Sequence, residues 1–366
     1  MNTSAPTSMS LLGTLPKQSI DARALVQITK NPNCERLRAI VFSGTGTDQV
    51  MMQIFDPAYA QHQSPLAMAK GAMFENFICG NGASPLLGAL QQASQLSPTD
   101  VGVLHVDKAV LAYPNNQKLA AAMALTTDVL KKRAYGDRQV PAVVLQAALR
   151  VDLGNGEYAV VRPDMLIARA GAPIYCVGEI KGYCYMRDLT DPNDVAQAVQ
   201  QMGVYHASLS MTMTRLGIVH PVPQRGVMVM HKPGGLSPIA HVQDIGGASS
   251  NTLRALGRRL ATLNNVVNRL GVGVSLDSEP AIRSIPACYS GKCRAVCALH
   301  TICRDEAQSA GDPALLGVGV ASLLKGAGCT IDRAIALSRG APSMTPEESQ
   351  LQSVLFNAEN EWKVAA

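Results

Sequence analysis

The sequence predicts an α/β protein in which a block of strands is set between helical segments. Residues 142–153, 157–169 and 174–181 are rich in β-branched and apolar residues, and turn-forming Gly, Pro and Asn separate them. Residues 226–230 and 239–242 indicate two further short strands. Helical patterns occur at 20–28, 66–92, 118–133, 191–213, 251–270 and 346–362.

Local signals mark the ends of several elements. The Gly-Asn-Gly at 154–156 lies between two β-rich runs and predicts a hairpin turn. Asp191 followed by Pro192 is typical of a helix N-cap and first helical position. The Asn-Pro-Asn at 31–33 interrupts a helical pattern, so Cys34 is expected at or near the start of the next helix.

Composition favours a folded protein, and its mildly basic charge is compatible with a polyanionic partner. Apolar residues make up 47% and charged residues 16%, which excludes a disordered chain. The net charge of +5 suits a nucleic acid, whereas only 4% aromatic residues argues against a broad base-stacking platform. No apolar run reaches membrane-spanning length and the N-terminus lacks a signal-peptide pattern, so we expect a cytoplasmic protein that does not enter a membrane.

The chain is expected to divide into four parts. Residues 1–19 form a short disordered lead, and 20–140 form a mainly helical part. Residues 141–285 contain the strand block with its helices, and 286–366 contain clustered cysteines and C-terminal helices.

Two carboxylates and a lysine are expected to meet in the strand block. Asp164 precedes a Gly/Pro turn, and the strand after that turn ends in Glu179-Ile180-Lys181. Side chains alternate along a strand, so Glu179 and Lys181 point to one side and Ile180 to the other. If the strands pair, Asp164 lies beside Glu179, and two like charges that close favour a cation between them. Oxygen ligands suit Mg²⁺ or Mn²⁺, so the pattern predicts metal-assisted hydrolysis of a phosphodiester, with Lys181 orienting the attacking water. The alternative is a surface hairpin with solvated charges.

Polar residues on three helices could support this site. Glu75 is the one acid on an apolar helix, where it is either paired, bound to a metal or at the solvent-exposed edge of the helix. Gln201 and Tyr205 are four residues apart and share a helix face that could contact a phosphate or simply be solvated. Arg254 and Arg258 are one helical turn apart. Together they could contact a DNA backbone, or they could simply belong to a charged outer face of the helix.

Four cysteines within sixteen residues indicate a metal site. They are Cys288, Cys293, Cys297 and Cys303. Without a secretion signal, such clustering favours metal ligands over disulfides. The spacing fits neither a zinc ribbon nor a ferredoxin, so zinc and an iron–sulfur cluster both stay open.

Taken in order, these motifs resemble the PD-(D/E)XK nuclease superfamily. More narrowly, they resemble RecB-type nucleases that carry an iron–sulfur cluster, such as the AddB nuclease domain and the CRISPR-associated RecB-like exonucleases. The resemblance spans ordered motifs between Cys34 and Cys303, not continuous similarity. The motifs are Cys34, the G-x-x-F-E of Gly71 to Glu75, Pro163-Asp164, Glu179-Ile180-Lys181, the Q-x-x-x-Y of Gln201 to Tyr205, and Cys293, Cys297 and Cys303.

The resemblance implies a restriction-endonuclease-like mixed central sheet flanked by helices. In such a protein, Asp164, Glu179 and the Ile180 carbonyl hold the metal and Lys181 positions the water. Gln201 and Tyr205 then hold the scissile phosphate or the DNA strand.

The cysteines are implied to form a structural [4Fe-4S] cluster, with structural zinc as the alternative. Its ligands would be Cys34 with Cys293, Cys297 and Cys303. Cys288 could substitute for Cys293, because the last three cysteines have a wider first spacing than is usual in the family. Such a cluster would link segments that are far apart in sequence and reduce the entropy of the unfolded chain.

The motif helix departs from the family at Phe74, where a metal-binding histidine is common. Glu75 is then the candidate substitute ligand or a neighbour of the ligands. The resemblance implies an exonuclease acting on DNA ends in recombination, repair or antiviral defence, with a helicase, integrase or recombination protein as partner. A restriction-like endonuclease and a non-catalytic DNA-binding or scaffolding subunit are the alternatives, and Phe74 favours the last.

Overall fold

A computed structural model describes residues 11–57, 65–97, 102–137, 139–169, 172–186, 190–271, 273–289, 291–311, 313 and 318–365. These residues confirm the predicted class: a mixed sheet flanked by helices, together with a cysteine-rich C-terminal region. The lead predicted at 1–19 lies partly outside the described residues.

Helices account for most of the described elements. They are α1 (Ala22–Lys30), α2 (Glu35–Ser43), α3 (Thr47–Ile54), α4 (Pro65–Cys79), α5 (Ser84–Gln92), α6 (Val106–Ala109), α7 (Asn115–Ala134), α8 (Pro192–Arg215), α9 (Gly246–Gly257), α10 (Arg259–Leu270), α11 (Glu279–Ser284), α12 (His300–Ala310), α13 (Val318–Gly326), α14 (Ile331–Ser338) and α15 (Pro346–Ala365). Short 3₁₀ turns occupy Asn81–Ala83 and Gly291–Ala295. No described helix combines the length and apolarity that crossing a bilayer would require.

The strands form one large and one small sheet. They are β1 (Val103–His105), β2 (Val143–Leu145), β3 (Leu149–Gly154), β4 (Glu157–Val161), β5 (Met165–Ile167), β6 (Cys176–Cys184), β7 (Arg225–His231) and β8 (Pro238–Asp244). The large sheet has the order β1-β2-β5-β6-β7-β8 and is mixed, because β1 pairs with β2 and β6 with β7 in parallel while its other pairs are antiparallel. The small sheet is the antiparallel pair β3-β4.

Two strands that the sequence predicts as continuous are broken, which corrects that prediction. The run at 142–153 divides into β2 and β3 because Gln146, just after β2, has a backbone φ of +55° that no strand adopts. The run at 157–169 divides into β4 and β5 around Pro163, which has no N–H to donate to a sheet. The predicted hairpin turn at 154–156 is confirmed, since all three of its residues have positive φ.

Helix predictions succeed at the marked ends and fail at two joins. The helical pattern at 66–92 is two helices, α4 and α5, separated by the 3₁₀ turn Asn81–Ala83. Asp191 caps α8 as expected, with its carboxylate accepting the Asn193 N–H at 2.8 Å. The single helix predicted at 251–270 is two helices, α9 and α10, which meet at Arg258.

The chain divides into two compact units. So far as the ranges are described, one consists of Gln18–Thr29 and His62–Ala261, and the other of Ser8–Lys17, Lys30–Gln61 and Thr262–Ala366. The first unit contains both sheets, and the second contains Cys34 and the C-terminal cysteines.

The core of the first unit lies where α4 and α5 pack on the large sheet. Phe74 and Ile78 of α4 are fully buried there. Burying an apolar side chain of this size contributes about 1.5–3 kcal/mol. Phe74 is therefore a core residue, and the helix turn that carries it also presents Glu75. The core side chains from the large sheet are Val143, Leu145, Met165, Ile167, Cys176, Ile180, Val227, Val229 and Ala240.

Candidate active site and cysteine site

Asp164 and Glu179 lie side by side because their strands pair. The antiparallel register of β5 and β6 sets Met165 opposite Gly178, so the next pair along is Asp164 with Glu179. The Ile180 N–H donates to Asp164 Oδ2 at 2.8 Å and fixes that carboxylate against β6. The Ile180 side chain lies in the core, on the opposite face from Glu179 and Lys181.

Glu179 is a buried carboxylate with only one oxygen paired. Its side chain is 1% exposed, and Oε1 lies 2.6 Å from Lys181 Nζ. Oε2 is buried and makes no hydrogen bond of ordinary geometry among the described residues, while the neighbouring Tyr205 hydroxyl acts to lower the pKa of Glu179. Leaving a buried carboxylate oxygen unpaired costs on the order of 1–3 kcal/mol or more, so this atom is suited to a ligand that can supply positive charge.

A chain of hydrogen bonds extends from Lys181 to α8. Lys181 Nζ donates to Gln201 Oε1 at 3.0 Å, and Gln201 Nε2 donates to the Tyr205 hydroxyl at 2.6 Å. Because α8 packs against β6 and its residues four apart share a face, Gln201 and Tyr205 both reach this point. Tyr205 is 2% exposed, so its hydroxyl is an internal partner of the site.

Burial is the main cause that raises the pKa values of Asp164 and Glu179, and repulsion from neighbouring acids adds to it. Burial, followed by the Asp164 charge, raises the pKa of Glu179 to about 8 against the opposing effect of Lys181. Burial likewise raises the pKa of Asp164 to about 6, while the Ile180 N–H and Lys181 lower it. Burial alone would lower the pKa of Lys181, but the Glu179 and Asp164 charges outweigh it and raise that pKa above its ordinary value. The site therefore gains from an added cation.

Glu75 belongs to the same acidic region. Its charge contributes to the raised pKa of Asp164, and its Oε1 accepts a hydrogen bond from Gln146 Nε2 at 3.4 Å. His105 at the end of β1 is a further neighbour: burial lowers its pKa, the Glu75 charge opposes that shift, and its Nδ1 is buried with no partner in the described part of the chain. Sequence reasoning missed Gln146 and His105. The one local signal is a polar residue at the end of a short apolar strand for His105, or directly after such a strand for Gln146.

The residues present fit a divalent ion held partly by ligands from outside the protein. Within the described residues, no three His, Cys, Asp or Glu side chains are already grouped to hold a metal. Mg²⁺ is usually bound by one or two carboxylates with water and substrate oxygens completing the shell. Asp164 and the orphaned oxygen of Glu179 supply such a pair.

The two predicted DNA-contacting arginines are exposed on α9 and at its C-terminal end. The Arg254 guanidinium donates to Asn251 Oδ1 of its own helix at 3.1 Å. Arg258 is the residue at which α9 ends. Their contact with a phosphate backbone stays a prediction.

In the second unit, Cys34 stands at a helix start, as the sequence predicts. It is the N-cap of α2, and its sulfur accepts the Leu37 N–H at 3.5 Å. A helix N-terminus favours negative charge, but burial outweighs this effect and raises the pKa of the Cys34 thiol.

Four cysteines of the second unit are buried and electrostatically coupled. They are Cys34, Cys293, Cys297 and Cys303, with side-chain exposures of 6–8%. Burial raises the pKa of Cys303 to about 12, and neighbouring sulfurs add to the effect at Cys297. Neutral thiols are therefore favoured unless a metal replaces their protons. Cys288 is half-buried and coupled to Cys34 and Cys293.

Two side chains that sequence reasoning missed donate hydrogen bonds to these sulfurs. Asn31 Nδ2 lies 3.1 Å from Cys293 Sγ and 2.7 Å from the Cys288 carbonyl oxygen. Arg36 Nη1 lies 3.4 Å from Cys303 Sγ and 2.7 Å from Glu306 Oε2. Donors aimed at sulfur stabilise ionised ligands, so the chemistry of this donor set suits either an iron–sulfur cluster or zinc, although no three of the described cysteine sulfurs are already grouped to hold one.

Comparison with known proteins adds little to this geometry. No protein-family profile matches the chain, and no curated protein matches it. A solved structure described as the crystal structure of SSO0001 is similar with a TM-score of 0.21 and 14% sequence identity, over 48% of this chain and 84% of that chain. A likeness at this TM-score carries no argument about fold or function.

Proposed function

We propose that this chain is a DNA nuclease that hydrolyses phosphodiester bonds with Mg²⁺ or Mn²⁺, as a member of the PD-(D/E)XK superfamily. The observation that carries the proposal is Glu179 Oε2, which is buried beside Asp164 and lacks a partner among the described residues. A divalent cation would satisfy this oxygen and relieve the repulsion between the two acids.

The ion would be held by Asp164, Glu179 and the Ile180 carbonyl, with Glu75 nearby. When bound, it would stabilise charge on the phosphate and lower the pKa of a water molecule. Lys181 keeps its proton because the acids raise its pKa, so we assign it to orienting water or phosphate as a hydrogen-bond donor. Gln201 holds the Lys181 ammonium at 3.0 Å, and the buried Tyr205 holds Gln201.

The substrate class is proposed from charge and from the resemblance. A net charge of +5 and the exposed Arg254 and Arg258 are compatible with DNA. We propose an exonuclease acting on single- or double-stranded ends in recombination, repair or defence, in the cytoplasm and alongside a helicase, integrase or recombination protein. The cysteine site would hold a structural [4Fe-4S] cluster or zinc.

A direct test incubates anaerobically purified protein with end-labelled linear DNA and with closed circular DNA, with and without Mn²⁺. We expect Mn²⁺-dependent loss of linear DNA that Lys181→Ala abolishes. Lys131→Ala, which removes an exposed lysine of α7, is the matched control and should cleave as the wild type does.

The outcomes separate the candidate functions. Cleavage of circular DNA would favour the endonuclease, and binding without cleavage would favour the scaffolding subunit, whose supporting observation is Phe74 in the core. Undiminished cleavage by Lys181→Ala would reject the assigned site.

A further inference from the structure

Gln146 has a strained backbone next to the acidic site. It is one of five described non-glycine residues with a positive φ, at +55°. For a residue with a Cβ this conformation costs on the order of 1–2 kcal/mol. Glycine could turn the chain from β2 toward β3 here without that cost, so the glutamine side chain needs a separate reason.

The backbone and the side chain of Gln146 both donate hydrogen bonds to the acidic region. Its backbone N–H donates to the Asp164 carbonyl oxygen at 3.2 Å, which continues the β2-β5 pairing by one residue. Its side-chain Nε2 donates to Glu75 Oε1 at 3.4 Å. One half-buried residue thus connects Asp164, which directly precedes β5, to the helix that carries Glu75.

The amide is the group that can do this without disturbing a cation site. A lysine would repel a cation, whereas a glutamate would add a further negative charge beside Glu75 and Asp164. A neutral donor orients a carboxylate and leaves its charge for the cation.

We propose that Gln146 is a positioning residue that holds the Glu75 carboxylate toward the divalent ion at Asp164 and Glu179. This rests on the proposed function, because it assigns Glu75 as an oxygen donor to that same ion or to its water. The strained φ is retained for this contact.

The test separates function from stability. Gln146→Gly relieves the strained φ, so its unfolding temperature should equal or exceed that of the wild type, while its Kd for Mn²⁺ should rise about tenfold. Asn155→Gly is the matched control, because Asn155 also has a positive φ, of +51°, but lies in the turn between β3 and β4. It should gain stability without any change in Mn²⁺ affinity.

A double-mutant cycle asks whether Gln146 acts through Glu75. In a Glu75→Ala background, adding Gln146→Gly should not weaken Mn²⁺ binding further. Three results would overturn the proposal. Gln146→Gly could bind Mn²⁺ as tightly as the wild type, it could unfold at a lower temperature, or it could still weaken Mn²⁺ binding tenfold in the Glu75→Ala background. Wild-type protein that binds no Mn²⁺ would overturn the proposed function as well, whereas equal binding by wild type and Gln146→Gly overturns only the role of Gln146.

Discussion

The Cα atom of Gly71 lies 2.6 Å from the point that a Cβ on Gly182 would occupy. Helix α4 therefore packs directly against β6, immediately after Lys181. This close approach sets α4 so that Glu75, one turn beyond Gly71, faces the acidic region.

Gly182→Ala should disrupt the site. Its Cβ would collide with the backbone of Gly71, which cannot move aside as a flexible side chain can, so α4 and β6 must separate. We expect lower stability, by about 1–3 kcal/mol of unfolding free energy, together with loss of metal-dependent cleavage. Chemical denaturation and the cleavage assay measure both effects.

Gly71→Ala is the matched control, because a Cβ at Gly71 meets no atom within 4 Å. It should stabilise α4 by about 0.5–1 kcal/mol through helix propensity. Equal behaviour of the two variants would contradict the packing described for Gly182.

Tyr205→Phe should loosen the Lys181 ammonium. Removing the hydroxyl leaves Gln201 Nε2 without its acceptor at 2.6 Å and withdraws a polar group from Glu179. The expected cost is about 1–3 kcal/mol of unfolding free energy, with a lower kcat. Tyr158→Phe, at a tyrosine that is 48% exposed, should change neither quantity. Wild-type turnover by Tyr205→Phe would show that the hydroxyl has no part in the site.

Metal-free protein should lose stability as pH rises from about 4 to about 8. The folded-state pKa values of Asp164, about 6, and Glu179, about 8, lie above their ordinary values, so the folded protein holds more protons than the unfolded chain. Stability then falls with rising pH across that window. Because a metal ion competes with these protons, stabilisation by Mg²⁺ should grow as pH rises.

Thermal unfolding across this pH range, with and without Mg²⁺, measures both trends. Glu179→Gln cannot titrate and should flatten the pH dependence relative to wild type. A Mg²⁺ effect that is independent of pH would argue against the carboxylate pair as its binding site.

Replacing single cysteines should distinguish those that bind the metal from buried cysteines that do not. Replacing Cys34, Cys297 or Cys303 by Ser should remove bound iron or zinc and lower the unfolding temperature, since the metal stabilises only the folded state. Cys329→Ser is the control, because Cys329 is also buried in the second unit but bonds to Glu348 and Ala327. Elemental analysis gives the metal content, and visible absorption distinguishes iron–sulfur from zinc.

The fourth ligand is resolved by comparing Cys288→Ser with Cys293→Ser. The buried Cys293, which accepts the Asn31 hydrogen bond, should be the essential one. Retention of metal by Cys293→Ser and loss by Cys288→Ser would reverse that assignment.

The sequence predicts the parts of the fold and site that depend on local periodicity. Strand alternation sets Glu179 and Lys181 on one face, and helical spacing sets Gln201 beside Tyr205. Hairpin chemistry likewise predicts the turn at 154–156.

The rest depends on contacts between distant segments. His105 reaches the Glu75 region through the parallel pairing of β1 with β2, which no local pattern encodes. Gln146 adopts a positive φ that glutamine disfavours. Residue propensities therefore predict that the strand continues through this position, whereas β2 ends before it. Asn31 and Arg36 flank Cys34 in the sequence, but their contacts with Cys293 and Cys303 join segments that are more than 250 residues apart, which no local pattern encodes.

The carboxylate pair can be tested by titrating the protein with Mn²⁺ and following the bound ion by electron paramagnetic resonance. We expect wild-type protein to bind Mn²⁺ between Asp164 and Glu179, and Asp164→Asn and Glu179→Gln to lose this binding while remaining folded. Mn²⁺ binding that is unchanged in both variants would contradict this expectation.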